Sequence, residues 1–153
     1  MKRIFDFKKI VLLVLIQIVC GIFLFAEETA EEKKLTVQIT NVTSEEGQII
    51  LAIYNSSENY DKRIAFQEVK LKPEIDTVIF ETNVPDGEYL VMLVHDINNN
   101  GKLDTSFIGM PKEPVGLSNY DGKGIPGKFK KHKFSVKDDT SIIIPLKKIY
   151  LFL

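Results

Sequence analysis

Tryptophan is absent from this 153-residue chain, which holds one cysteine, Cys20, and two histidines, His95 and His132. A lone cysteine cannot close an intramolecular disulfide, and two histidines without a second thiolate make zinc a poor candidate. Charge of one sign is missing too: 20 Lys+Arg against 21 Asp+Glu leave −1. No nucleic-acid footprint follows from such a balance, so nucleic acid is excluded as a partner. Internal repeats, low-complexity tracts and convincing amphipathic helices do not stand out. Stability must come from an apolar core, helped at most by a bound ion.

Residues 1–26 carry Lys2, Arg3, Lys8 and Lys9, then an apolar run from Ile10 to Phe25, then Ala26 before Glu27 and Glu28. That order of basic start, apolar stretch and small residue reads as a secretory signal peptide. The run is shorter than the roughly twenty residues of a membrane span, so no mature transmembrane segment is expected. Leu24 is large for a cleavage site, which keeps an uncleaved anchor as the alternative. A lipid anchor on Cys20 lacks the small residue that should precede it. Cleavage after Ala26 leaves about 127 residues, enough for one domain. Removing the four basic residues and Asp6 leaves 16 Lys+Arg against 20 Asp+Glu, near −4. The expected location is exported: periplasmic or extracellular, with envelope association as a further option. Acidic residues 27–34 read as a flexible leader to a domain over 35–153.

The rest reads as strands. LTVQIT (35–40) alternates Leu35, Val37 and Ile39 with polar residues, the period of a sheet buried on one face. QIILAIY (48–54), QEVKLK (67–72), DTVIFET (76–82), a long strand over 87–95, KHKFSV (131–136) and TSIIIPL (140–146) follow, with KKIYLFL a further candidate. About seven short strands predict an all-β antiparallel β-sandwich, Ig-like or prealbumin-like, with a long loop over 97–128. In the 87–95 strand Val91 and Leu93 face one way while Leu90, Met92 and Val94 face the other, which predicts a central strand covered on both sides.

That strand runs into HDINNNGKLD (95–104). From Asp96 as position 1, oxygen-bearing side chains fall at positions 1, 3, 5 and 9, namely Asp96, Asn98, Asn100 and Asp104, with Gly101 at position 6. The spacing matches a calcium loop in which the Lys102 carbonyl supplies a further oxygen. Gly101 permits the sharp turn and Leu103 is placed to tuck into the core. Position 12 is Phe107 where an EF-hand has glutamate, and a strand precedes the loop, so this is no helix–loop–helix module. Glu113 is the carboxylate nearest to complete a shell. Two alternatives stand beside calcium: an Asx-rich turn held by its own hydrogen bonds, and another ion.

HDINNNGKLDTSFIGMPKEPVGLSN, from His95 to Asn119, resembles the signature of the family called domain of unknown function 2141, exported bacterial proteins without an established activity. The resemblance continues through VPDGEYLVML upstream and GIPGKFKKHKFSV downstream, over most of residues 35–147. It rests on His95, Asp96, Asn98, Asn100, Gly101, Leu103, Asp104, Gly109, Pro111, Glu113, Gly116, Ser118 and Asn119. Lys128 and the basic KFKKHK depart from the family pattern. The resemblance implies a sandwich in the cell envelope and implies no reaction.

No catalytic residue is assigned. His95, Asp96 and Ser118 are types used in nucleophilic catalysis, but neighbouring strand residues point to opposite faces and no nucleophile elbow surrounds Ser118. His95, Gly101, Leu103, Gly109, Pro111, Ser118 and Asn119 are therefore read as loop-supporting. Phe107, Tyr120 and Phe129 form a candidate ligand platform, against the plainer reading of a local apolar cap. The expectation is a non-enzymatic binding or envelope-structural module with a calcium-binding or Asx-rich loop. Its partner would be an envelope protein, a carbohydrate or a peptide. The alternative is a carbohydrate- or peptide-binding domain using residues 105–129, and a hydrolase comes third.

Overall fold

Alternation in the first strand sets the geometry of the core. Leu35, Val37 and Ile39 of β1 (Glu32–Val42) are fully buried, while Thr36, Gln38 and Thr40 are only half so. The computed structural model describes residues 31–123 and 126–149. Segment 1–26, the start of the acidic leader and residues 150–153 lie outside the described residues.

The remaining strands are β2 (Gln48–Tyr54), β3 (Gln67–Leu71), β4 (Asp76–Pro85), β5 (Gly87–Asp96), β6 (Val115–Leu117), β7 (Phe134–Val136) and β8 (Thr140–Pro145). They form two sheets. One has the order β4-β1-β8, with β1 antiparallel to β4 and parallel to β8. The other runs β3-β2-β5-β6, and β7 also pairs with β5. The main core lies between them: Leu35, Val37, Ile39 and Ile144 from the small sheet meet Ile49, Leu51, Ile53, Val91 and Leu93 from the large one. The all-β sandwich expected from the strand periods is the fold observed.

Central placement of β5 also follows from its residues. Val91 and Leu93 enter the main core, whereas Leu90 and Met92 join a second cluster with Ala52, Tyr54, Tyr60, Leu117 and Phe129. The large sheet is thus covered on its outer face as well. Part of that cover is α1 (Ser57–Lys62), whose Ser56 hydroxyl accepts from the Asn59 N–H and whose Tyr60 ring meets Tyr54 edge-on at 5.3 Å. This segment, NSSENYDKR (55–63), is polar throughout apart from Tyr60. Its signals are the capping serine and the Glu58–Lys62 pair one turn apart.

Three boundaries need correction. Residues 32–34 belong to β1 and not to a flexible leader, because β4 runs on to Pro85 and supplies ladder partners from Asn83 to Pro85. KHKFSV is a strand only from Phe134; Phe129–His132 form one helical turn, α2, that buries Phe129 and His132. The loop 97–128 contains β6, which pairs with β5. In the last expected strand, Lys147 makes a single bridge to Val115, Lys148 and Ile149 form no ladder, and residues 150–153 lie outside the described residues.

Candidate functional site

β5 and β6 are antiparallel neighbours, paired from Met92↔Leu117 to Val94↔Val115, and the His95 N–H donates to the Pro114 carbonyl. Residues 97–113 are therefore an excursion that leaves the end of a core strand and returns to its own base. Asn99 (φ 58°) and Gly101 (φ 81°) turn the backbone through the left-handed region, which asparagine tolerates and glycine adopts freely.

Asp96 organises the first half of the excursion. Its carboxylate is fully buried and accepts from the Asn100 N–H at 3.0 Å, the Gly101 N–H at 2.7 Å and the Gln48 side-chain amide at 2.8 Å. Burial pushes this carboxyl up, but the Gln48 amide and the Gly101, Asn100 and Asn99 N–H groups outweigh it and hold the pKa below the ordinary aspartate value. Glu113, also buried, joins the two halves: one oxygen accepts from the Ile97 N–H and the other from the Asp104 N–H, each at 3.0 Å. Asp104 in turn takes the side-chain amides of Asn98 at 2.6 Å and Asn100 at 3.0 Å. The Asn98 and Asn100 side-chain oxygens accept from the Asn100 and Lys102 N–H groups.

Five of the six residues expected as metal ligands, namely Asp96, Asn98, Asn100, Asp104 and Glu113, are thus linked by hydrogen bonds within one loop; the Lys102 side chain points to solvent. Their oxygens largely meet N–H groups. Among the described residues no three His, Cys, Asp or Glu side chains converge as a metal centre. The arrangement matches an Asx-rich turn closed by two buried carboxylates.

The supporting residues divide. His95 is fully buried, and its Nε2 lies 3.0 Å from the Glu46 carbonyl, so that nitrogen carries the proton. It braces the β1–β2 turn rather than the Asx-rich loop itself. The loop is then supported through Gly47 (φ 73°), where an added Cβ would lie 2.0 Å from the Asp96 carbonyl oxygen. Ser118 is tied to β5 and α2: its hydroxyl donates to the His132 carbonyl at 2.7 Å and accepts from the Val91 N–H at 3.1 Å. The Asn119 side chain donates to the Lys133 carbonyl at 2.8 Å. His132, which sequence reasoning passed over, accepts the Gly127 N–H at Nε2 and faces the Asn119 carbonyl with Nδ1. Ser118 therefore has no basic group at its hydroxyl.

The expected ligand platform does not assemble. Phe129 is buried in the second cluster, Tyr120 packs against that cluster, and Phe107 stands apart and fully exposed. The excursion instead walls a cavity of about 270 Å³ on the outer face of the large sheet. Met92, Val94 and Leu117 provide apolar floor; Leu103, Gly109 and Pro111 come from the excursion. Leu103 thus faces this cavity and not the main core. Tyr60, Tyr120 and Arg63 line it too. Arg63 sits 4.8 Å over the Tyr60 ring and pairs with no carboxylate among the described residues.

The family described as "Uncharacterized protein conserved in bacteria (DUF2141)" has a model that matches residues 37–143, and the chain belongs to that family. No curated protein and no solved structure matches the chain.

Proposed function

We propose that this chain is an exported, non-enzymatic binding module of the bacterial cell envelope, whose outer-face cavity receives an apolar side chain of a peptide. The observation that carries this reading is the cavity itself, a concave apolar site with few polar groups, the usual form of a ligand site. Arg63 lies over the Tyr60 ring, hydrogen-bonds the Tyr54 hydroxyl and pairs with no carboxylate among the described residues, which suits it to an acidic group beside that side chain. The self-bonded loop serves as a fixed wall, and a wall fixed in advance lowers the entropy lost on binding. The saturated Ser118 hydroxyl and the His95–Glu46 contact favour a structural role for both residues.

Short peptides with leucine or phenylalanine beside a carboxylate should shift the amide resonances of Met92, Val94 and Leu117 in ¹⁵N-labelled protein, and Arg63→Gln should weaken the effect. Absence of localised shifts at millimolar peptide would return the cavity to packing imperfection. Hydrolase screening that gave turnover lost in both His95→Gln and Ser118→Ala would overturn the non-enzymatic assignment.

Calcium remains a second reading, favoured by one contact. The Asn98 and Asn100 amides converge on one Asp104 oxygen, and an amide's oxygen and nitrogen ends exchange by a half-turn. Turned so, and giving up their bonds from the Asn100 and Lys102 N–H groups, Asn98 and Asn100 would offer oxygens with Asp104 to one cation, with Asp96, Glu113 and the Lys102 carbonyl the remaining candidate ligands.

A further inference from the structure

The 97–113 excursion ends in a hairpin that the binding proposal leaves without a role. Asp104 and Lys112, Thr105 and Pro111, and Ser106 and Met110 face one another across it. The Lys112 N–H donates to Asp104 O at 2.9 Å, the Ser106 N–H to Met110 O at 2.7 Å and the Gly109 N–H to Ser106 O at 2.9 Å. The Ser106 hydroxyl also accepts from the Met110 N–H. This cross-braced tip holds Phe107 at 106% and Ile108 at 67% of full exposure. Other exposed apolar side chains lie on strands or connections; these two are consecutive and stand at the point of a protrusion.

The exposed charged side chains of the excursion are both lysines. Both acids of the hairpin are engaged within it, the half-buried Asp104 by two asparagine amides and the buried Glu113 by two backbone N–H groups. Lys102 and Lys112 are exposed and have no side-chain partner among the described residues. With strand residues advancing about 3.3 Å each, Lys112 lies roughly 10 Å behind the tip. Interfacial elements bury their apolar side chains about 5–10 Å into the headgroup and acyl boundary. An inserted tip would therefore carry Lys112 to the level of the lipid phosphates.

We propose that Phe107 and Ile108 insert into the surface of an anionic phospholipid bilayer, with Lys102 and Lys112 against its headgroups. A protein pocket would accept the apolar pair but gives no reason for the spacing to Lys112. Protein purified from exporting cells and beginning at Glu27 should cosediment with phosphatidylcholine vesicles containing phosphatidylglycerol, and less with phosphatidylcholine alone. Phe107→Ser and Ile108→Ser should each weaken partitioning about tenfold or more, and Lys102→Gln and Lys112→Gln about fivefold each. Added salt should erase the lysine part. Since the chain has no tryptophan, Phe107→Trp is a single reporter, and its emission should shift to the blue only with anionic vesicles. Both side chains are exposed, so unchanged melting curves will show that the variants fold. Equal binding by wild type and tip variants, or an unshifted tryptophan, would overturn the proposal. So would crosslinking of the tip to an envelope protein with vesicles inert.

Discussion

Replacing Asp96 with alanine removes the acceptor around which the excursion is wound. Of its three side-chain hydrogen bonds, the one from Gly101 has no other acceptor, the Asn100 N–H is shared with the Asn98 oxygen at 3.1 Å, and the half-buried Gln48 amide can turn to water. A hydrogen bond to a charged group contributes about 1.5–3 kcal/mol. One full and two partial losses, less the relieved desolvation of a buried carboxylate, come to about 3 kcal/mol. For a domain of this size that lowers the melting midpoint by about 10 °C. Circular dichroism melts, repeated across pH, provide the assay. The folded pKa of Asp96 lies below its unfolded value, so its contribution is present above an unfolded pKa of about 3.9 and is lost as pH falls through the folded pKa. Asp96→Ala should melt lower at neutral pH and converge toward wild type in acid. A midpoint within about 1 °C of wild type at pH 7 would refute the brace. A deficit that vanished with a chelator present would instead assign Asp96 to an ion.

Gly47→Ala would set its Cβ 2.0 Å from the Asp96 oxygen and 2.7 Å from the Ile97 Cα. A loss of about 3 kcal/mol or more, with faster amide exchange at Asn100 and Gly101, is expected from denaturant titration and hydrogen exchange. On the calcium reading, a dissociation constant on the order of 0.1–1 mM gives about 1.4 kcal/mol at ten times that concentration. The melting midpoint then rises by a few degrees and Asp104→Ala abolishes the rise; a curve indifferent to calcium and chelator leaves the self-bonded turn. N-terminal sequencing of the exported protein should begin at Glu27, whereas a chain starting at Met1 among the membranes would replace the signal peptide with an anchor.

Strand periods in the sequence carried the sandwich because a half-buried sheet imposes alternation residue by residue, as Leu35, Val37 and Ile39 show. The Asx-rich loop was equally legible, since its spacing is local. What stayed hidden depends on partners distant in the chain. Gln48 reaches Asp96 only because β2 and β5 pair in a register that sets those two residues opposite each other. Gly47 reads as an ordinary turn glycine until the Asp96 backbone is seen against it. Phe129 belongs to a Gly- and Pro-rich stretch that suggests exposure, yet one helical turn delivers it to the second cluster. Arg63 is unremarked in sequence because its setting over Tyr60 arises from a left-handed cap at the end of α1.

Strand β1 sits in the middle of its sheet, flanked by β4 and by β8, which joins it in parallel. The Lys34 N–H already donates to Asp139, 105 residues further along the chain. A polypeptide that emerges amino end first therefore carries one of its central strands from the outset and cannot finish the sheet until its last strand arrives. Closing so long a loop is slow and is rewarded only at the end. Until then one edge of β1 offers open backbone groups and Val37 and Ile39 lack the cover of Ile144, so a chain stopped before Thr140 is a template for pairing with its neighbours.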